Sequence, residues 1–280
     1  MKGGKVFAGK KFVARERALG LGMLIGSGML AWLVLIFLTS LLPHAVTQNF
    51  ILGGAVSGPV AGRDFLLGLA LALILVVLWR RRRSFGTMVA MFLAFLLFSG
   101  LTLFVGASAG FFLATGLVLW ERRHRSFMSN NLLLLAAVTL GAIPIGLTYP
   151  IAMLMFILVF LSLYDLLGVF ATHFIPRLAG AAVRAEVPLV LLAPRASVSW
   201  WQAPKLENSS ALLGSGDLFL PAIFLAAVTA NHDIPLALLV FGGALLGGVV
   251  NFLLALIIRS GIPAMPLLTV GMIVAYYLAI

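Results

Sequence analysis

Residues 84–120 read SFGTMVAMFLAFLLFSGLTLFVGASAGFFLATGLVLW, 37 positions without one charged side chain. As a single helix they would extend about 55 Å at 1.5 Å per residue, nearly twice a hydrocarbon core of about 30 Å. Two membrane spans, turning around Gly106 to Gly110, fit better. The rest of the 280-residue chain has the same character, being 62% hydrophobic and only 10% charged. An ordinary soluble domain carries about a quarter charged residues, and a disordered chain needs low hydrophobicity. Both classes are excluded. Zero cysteines also exclude a disulfide framework, a thiol nucleophile and a cysteine-ligated metal. The expected fold class is an all-α polytopic membrane protein. Its 19 basic and 8 acidic residues leave a charge of +11. In such a chain this excess marks cytoplasmic loops placed by the positive-inside rule, and nucleic acid is not an expected partner.

Working outward from that stretch, charged clusters divide the sequence into measurable intervals. A basic head (Lys2, Lys5, Lys10, Lys11, Arg15, Arg17) precedes an apolar run near 19–42. A second run extends from Arg63 and Asp64 to Trp79, ahead of Arg80, Arg81, Arg82 and Arg83. After Glu121, Arg122, Arg123 and Arg125, the interval to His173 breaks at Ile143 to Pro150 and holds two spans. A polar connection follows over 173–209. The interval from Ser210 to Ile258 breaks at Asn231 to Pro235 and holds two more, and the 21 residues after Arg259 suffice for one. The sum is nine transmembrane helices. With the N-terminus cytoplasmic and the C-terminus external, 18 of the 19 Lys and Arg residues fall inside, and only Arg63 lies outside. The parts are then 1–172, carrying spans one to six, the connection 173–209, and 210–280, carrying spans seven to nine, all within one integral membrane domain. The first apolar run exceeds the usual signal-peptide length, so cleavage is not expected. Gly22/Gly26, Gly106/Gly110 and Gly243/Gly247 have the small-xxx-small spacing that lets helices approach closely.

Two acidic residues fall inside spans: Asp165, in Ser162-Leu163-Tyr164-Asp165-Leu166-Leu167, and Asp217, in Leu213-Gly214-Ser215-Gly216-Asp217-Leu218. A charge at the centre of a membrane helix costs roughly 2.5–3.5 kcal/mol on insertion scales, so such carboxylates are candidate functional groups. The sixth span descends to the cytoplasmic side and the seventh, starting near Ser210, returns from it. Both carboxyls then sit roughly 10–12 Å below the cytoplasmic surface, at 1.5 Å per residue. Two carboxyls face to face cannot both ionise easily. One keeps a proton while the other is charged, which supplies a general base and a general acid together. The pair titrates as a unit. Spacing and depth leave three readings open: a catalytic dyad, two unrelated buried acids, and a proton relay or cation path in a transporter or channel.

These residues resemble the motifs of the presenilin and signal peptide peptidase family of intramembrane aspartyl proteases, of the GxGD type. Tyr164-Asp165 resembles its Tyr-Asp motif in span six, and Gly214-Ser215-Gly216-Asp217 its Gly-x-Gly-Asp motif in span seven. Pro263-Ala264-Met265-Pro266 resembles the Pro-Ala-Leu motif that opens span nine, with Met265 where the family has Leu. Leu and Met are close in volume, and such swaps usually cost little. The resemblance covers essentially the whole chain and is closest in character to a microbial, archaeal-type presenilin homologue. It implies a presenilin-like fold, the cell membrane of a microbe, and hydrolysis of peptide bonds within transmembrane helices by an Asp165/Asp217 dyad that activates water. The implied partners are transmembrane segments of membrane-protein substrates and the bilayer itself. No metal or organic cofactor is implied, and oligomerisation stays open.

Each motif also has a physical reading. Gly214 and Gly216 remove side chains beside Asp217, either for a substrate backbone or for tight packing. Pro221 interrupts the helical ladder one turn after Asp217. Pro263 and Pro266 either leave carbonyls free for an extended substrate or simply start a helix. Tyr164 either hydrogen-bonds the dyad or substrate, or packs. The apolar run Val187 to Ala193 either lies across the substrate entrance and pairs edge-on with an extended peptide, or rests at the interface with Trp200 and Trp201 as anchors. Other intramembrane chemistries find no support: no His-Glu-x-x-His surrounds His44, His124, His173 or His232, and no Gly-x-Ser-Gly occurs.

Overall fold

The computed structural model describes residues 3–42, 82–171, 183, 188–257 and 262–280. The charge-free runs within them are helical. Polar residues and prolines set the boundaries: α1 covers Gly3–Ser40, α2 Arg82–Val105, α3 Ala107–Arg123, α4 Phe127–Thr148 and α5 Ile151–Leu166. α5 continues into a π-helical turn, Leu167–Ala171. A two-stranded antiparallel sheet of β1 (Val190–Pro194) and β2 (Ser209–Gly214) follows. Then come α6 (Gly216–Asn231), α7 (Ile234–Ile257) and α8 (Met265–Ala279). Among the described residues, five apolar stretches are long enough to cross a bilayer: Glu16–Ser40, Gly86–Val105, Phe127–Thr148, Ile151–Ala171 and Ile234–Ile257. The chain is therefore an integral, multi-pass membrane protein. α6 and α8 are apolar but shorter. The second span expected from the sequence lies outside the described residues, as do His173 and Val187.

Breaks follow local chemistry. α2 ends at Val105, and Gly106 turns the chain at φ 81°, a left-handed conformation that glycine adopts without a Cβ penalty. The expected break at Ile143 to Pro150 narrows to its last two residues. Pro144 stays inside α4, and Pro150 caps α5. α4 begins at a capping box in which the Ser126 and Ser129 side chains satisfy each other's backbone amides.

Small residues fix the helix crossings, though not always those expected. Along the α7–α8 seam, a Cβ on Gly243 would run into the Gly271 carbonyl, and one on Gly247 into that of Leu267. The backbones themselves are in contact here. Gly22 and Gly26 meet no described residue within 4 Å of such a Cβ, so the packing expected of them finds no partner among the described helices. α1 instead uses Gly20, against Ser210 and Ala193, and Gly28, against Leu218. Both lie on the face of α1 turned to the sheet and to α6, which Gly22 and Gly26 do not share. The main core gathers Trp32, Leu97, Ile143, Leu158, Phe224 and Met272 from six helices.

The largest departure from the sequence reading concerns the start of span seven. Residues 209–214 form a strand, and the helix starts only at Gly216. Ala211-Leu212-Leu213 pairs with Leu191-Leu192-Ala193, so the ladder satisfies the backbone that a helix would otherwise satisfy internally. β1 is buried on both faces, and its side chains alternate between two clusters. Leu191 and Ala193 join the main core, while Val190 and Leu192 join Phe127 and Val183 in a second small cluster.

Candidate active site

Asp165 occupies the last turn of α5, just before the π-helical turn, and only 8% of it is exposed. The backbone amide of Met265, the first residue of α8, donates to Asp165 Oδ2 at 3.4 Å. One turn earlier on α5, the Ser162 hydroxyl meets Thr269 Oγ1 of α8 at 2.7 Å. The start of α8 is therefore tied to α5 twice, once through the carboxylate itself. Pro263, Ala264 and Met265 are buried and Pro266 partly so. The Ala264 carbonyl accepts from the Leu268 amide at 3.4 Å, an ordinary helix-opening bond. Of the two readings of this motif, helix initiation is visible directly, and the motif also brings an amide to Asp165.

Asp217 stands in the first turn of α6, not the seven residues into a helix that the sequence suggested. Strand β2 delivers it, and Ser215 closes the corner by donating its amide to the Leu189 carbonyl at 3.2 Å. The backbone of Gly214 addresses the Asp217 carboxylate, and a Cβ on Gly214 would lie 3.2 Å from Asp217 Oδ2. Gly216 is exposed, with no described residue within 4 Å of the corresponding point. The two motif glycines are thus unequal: one is pressed against the carboxylate and the other is open. Pro221 lacks the amide that would bond the Asp217 carbonyl four residues earlier, so that rung of the helical ladder is missing. α1 braces the same turn, with Trp32 Nε1 donating to the Leu218 carbonyl at 2.9 Å.

The two carboxyls are close enough to act on each other electrostatically. The site therefore joins Asp165 from α5, Asp217 from the β2–α6 corner, and the Met265 amide from α8. Tyr164 is half exposed, and its side chain makes no hydrogen bond among the described residues. A largely apolar cavity of about 830 Å³ opens between α1 and α4, and neither aspartate lines it. No group of three or more His, Cys, Asp and Glu side chains suited to a metal occurs among the described residues.

Sequence reasoning missed Asn130 and Asn131, both buried near the start of α4. Asn131 Nδ2 donates to the Leu192 carbonyl at 2.8 Å, and the Leu192 amide donates to Asn131 Oδ1 at 2.9 Å. Asn130 Nδ2 reaches the Val190 carbonyl at 3.0 Å. Two adjacent asparagines inside an apolar helix were the available signal. The outer edge of β1 is thereby occupied. Because both Leu192 backbone groups face α4, Leu192 and Leu212 form a non-hydrogen-bonded pair, and the Leu212 backbone faces away from β1. The same alternation turns Gly214 outward, toward Asp217.

No protein-family model matches the chain, and no curated protein matches it. Solved structures do. The fold is similar to that of a presenilin family intramembrane aspartate protease in a C222 crystal form, with a TM-score of 0.55 and 19% identity over 93% of this chain and 95% of that one. A structure of a presenilin family intramembrane aspartate protease in a P2 crystal form gives 0.52 and 20% over 93% and 96%. The likeness extends over nearly the whole of each chain, so the chain has a presenilin-like fold.

Proposed function

We propose that this chain is an intramembrane aspartyl endopeptidase that cleaves transmembrane segments of membrane proteins, with Asp165 and Asp217 as its dyad. The observation that carries the reading is the convergence of two carboxyls, within electrostatic reach of each other, from two helices of a presenilin-like fold. The charged member takes a proton from a water as that water attacks the peptide carbonyl. The protonated member donates to the carbonyl oxygen, forming a tetrahedral diol. On collapse the diol returns a proton to that carboxylate, while the other carboxyl passes the proton taken from water to the leaving nitrogen. The pair thus ends the cycle holding one proton as it began.

A transmembrane helix resists this attack because its peptide groups are hydrogen-bonded and shielded. An extended substrate solves the problem if its backbone is paired elsewhere. The sequence suggested the 187–193 run as the pairing edge, but Asn131 fills the outer edge of β1. The edge suited to a substrate is therefore that of β2, where outward-facing Leu212 and Gly214 lead directly to Asp217. Gly214 presents no side chain between a paired peptide and the carboxylate. Pro263 and Pro266 flank the Met265 amide that reaches Asp165 and are assigned to the substrate path with Tyr164, the exposed side chain next to Asp165.

The cytoplasmic N-terminus read from the basic clusters implies substrates whose own N-termini are external; external labelling of this chain's N-terminus would contradict that orientation. The activity is tested by cleavage of a single-span peptide in liposomes by wild type, Asp165→Ala and Asp217→Ala. Wild type should yield two products of defined mass, and neither variant should yield any. Residual cleavage by either variant removes the dyad. An ion leak abolished by Asp165→Asn, with no proteolysis, would identify a proton- or cation-coupled transporter or channel instead.

A further inference from the structure

Strand β1 is bounded on one side by β2 and on the other by the first turns of α4. Its outer partner is a side chain. The Asn131 carboxamide offers one acceptor and one donor in a plane, the same pair that a neighbouring strand residue offers through its backbone. It uses both on Leu192, at 2.9 and 2.8 Å. Asn130 adds a third bond at the Val190 carbonyl and contacts Asn131 Oδ1 at 3.2 Å. The α4 terminus also holds the connection beyond β1, since the amides of Phe127 and Met128 donate to the carbonyls of Gln202 and Trp200, each at 3.0 Å. A buried carboxamide is expensive unless satisfied, and both of its polar atoms are satisfied here.

We propose that Asn131, supported by Asn130, is a positioning residue for cleavage: its carboxamide stands in for a third strand on β1, closing that edge and fixing the hairpin so that an extended substrate joins β2 beside Asp217. This rests on the protease reading above. Asn131 touches neither carboxylate, and its action passes through Leu192 and the β1–β2 register to Gly214 and Asp217. Without it, β1 would expose the Leu192 amide and carbonyl as a second pairing edge, farther from the dyad, and the β2 corner would lose its backing.

The test uses the full chain in liposomes with a single-span peptide. Wild type and Asp217→Ala run beside Asn131→Leu and Asn131→Asp. Activity in wild type that is lost in Asp217→Ala secures the protease reading independently of the clamp. Asn131→Leu should then lower kcat/KM at least tenfold and spread the product masses over neighbouring bonds. Unchanged kcat/KM with one unchanged cut overturns the proposal.

Asn131→Asp keeps the acceptor for the Leu192 amide but sets a carboxylate against the Leu192 carbonyl. A protonated carboxyl restores the donor, so the ratio of variant to wild-type activity should rise as pH is lowered. Glu121, Arg125 and Lys205 line a small cavity with Asn130 and Leu192, whereas the cavity on the α1 and Trp200–Trp201 side of Asn131 has no charged group among its described lining residues. Wild type contains the same charges, so the ratio removes their titration. A flat ratio counts against the clamp. Hydrogen exchange supplies a readout that needs no activity and no stable Leu variant: the Leu192 amide should be protected in wild type and exchange at least tenfold faster in Asn131→Asp at neutral pH. Equal rates overturn the proposal even if no peptide is ever cleaved.

Discussion

Asp165 is carried at the end of an apolar helix, one residue before its last α-helical position, whereas Asp217 opens a helix of the same length directly after a strand. The first is held by a partner from another element, the Met265 amide. The second is held by its own approach path, through Gly214 and the Ser215 corner. A helix presents its residue rigidly but shields the peptide groups around it. A strand ending at the carboxylate leaves one row of backbone groups turned outward, and a substrate can join that row. The comparison divides the work of the site: the α5 side fixes a carboxylate, and the β2–α6 side both supplies one and offers a place to bind.

The largest effect that would break this division is expected at Gly214. In Gly214→Val the branched side chain begins 3.2 Å from Asp217 Oδ2 and must displace the carboxylate or the strand. Misplacement of a reacting group by about 1 Å can cost on the order of a hundredfold in rate, so cleavage should fall by about that factor. Gly216→Ala adds a methyl where nothing lies within 4 Å and should cleave within about threefold of wild type, since alanine favours a helix over glycine. Peptide cleavage assayed on both variants decides the matter. Equal losses would mean that the motif glycines act alike, against the asymmetry seen here.

This asymmetry marks the limit of what the sequence reveals. Asp165 could be placed because the uncharged interval around it runs long enough to span and its helix continues through the motif. Turns at Gly106 and at Asn231 to Pro235 were legible for the same reason, because breakers between long apolar runs have few interpretations. Ala211-Leu212-Leu213 was misread because a short apolar run serves a buried strand and a buried helix equally well. Its pairing with residues 190–193 depends on a partner about twenty positions away. Asn130 and Asn131 stand out in the sequence, but their role does not, since a polar pair in a span gains meaning only from what lies opposite. Gly22 and Gly26 show the converse, a motif spacing that no described helix uses.

A second, smaller effect separates the packed seam beyond the site from the open face of α1. Gly247→Leu would drive a side chain into the Leu267 carbonyl, next to the helix start that supplies the Met265 amide. Overpacking of this kind costs typically about 1–3 kcal/mol. The variant should unfold at clearly lower temperature in detergent and lose cleavage because α8 shifts away from Asp165. Gly26→Leu should do neither. A fall in stability with cleavage fully retained would show that Asp165 does not depend on α8.

The smallest effect sharpens that dependence. Ser162 and Thr269 join α5 to α8 by a hydroxyl bond of 2.7 Å, one turn from Asp165, while Ser162 also donates to the Leu158 carbonyl of its own helix. Hydrogen bonds between membrane helices average about 0.6 kcal/mol and reach about 1.7, because the separated helices find other partners. Ser162→Ala should therefore lower stability by less than about 2 kcal/mol. Thr269 would then turn back to a carbonyl of α8, as threonine does elsewhere in helices. If the Met265 amide is the main tie between α8 and the carboxylate, cleavage should fall only a few-fold, with the cut site unchanged. A loss as deep as that of Gly214→Val would mean instead that the carboxylate on the helical side is held no more rigidly than its partner on the strand side, and the division between them would fail.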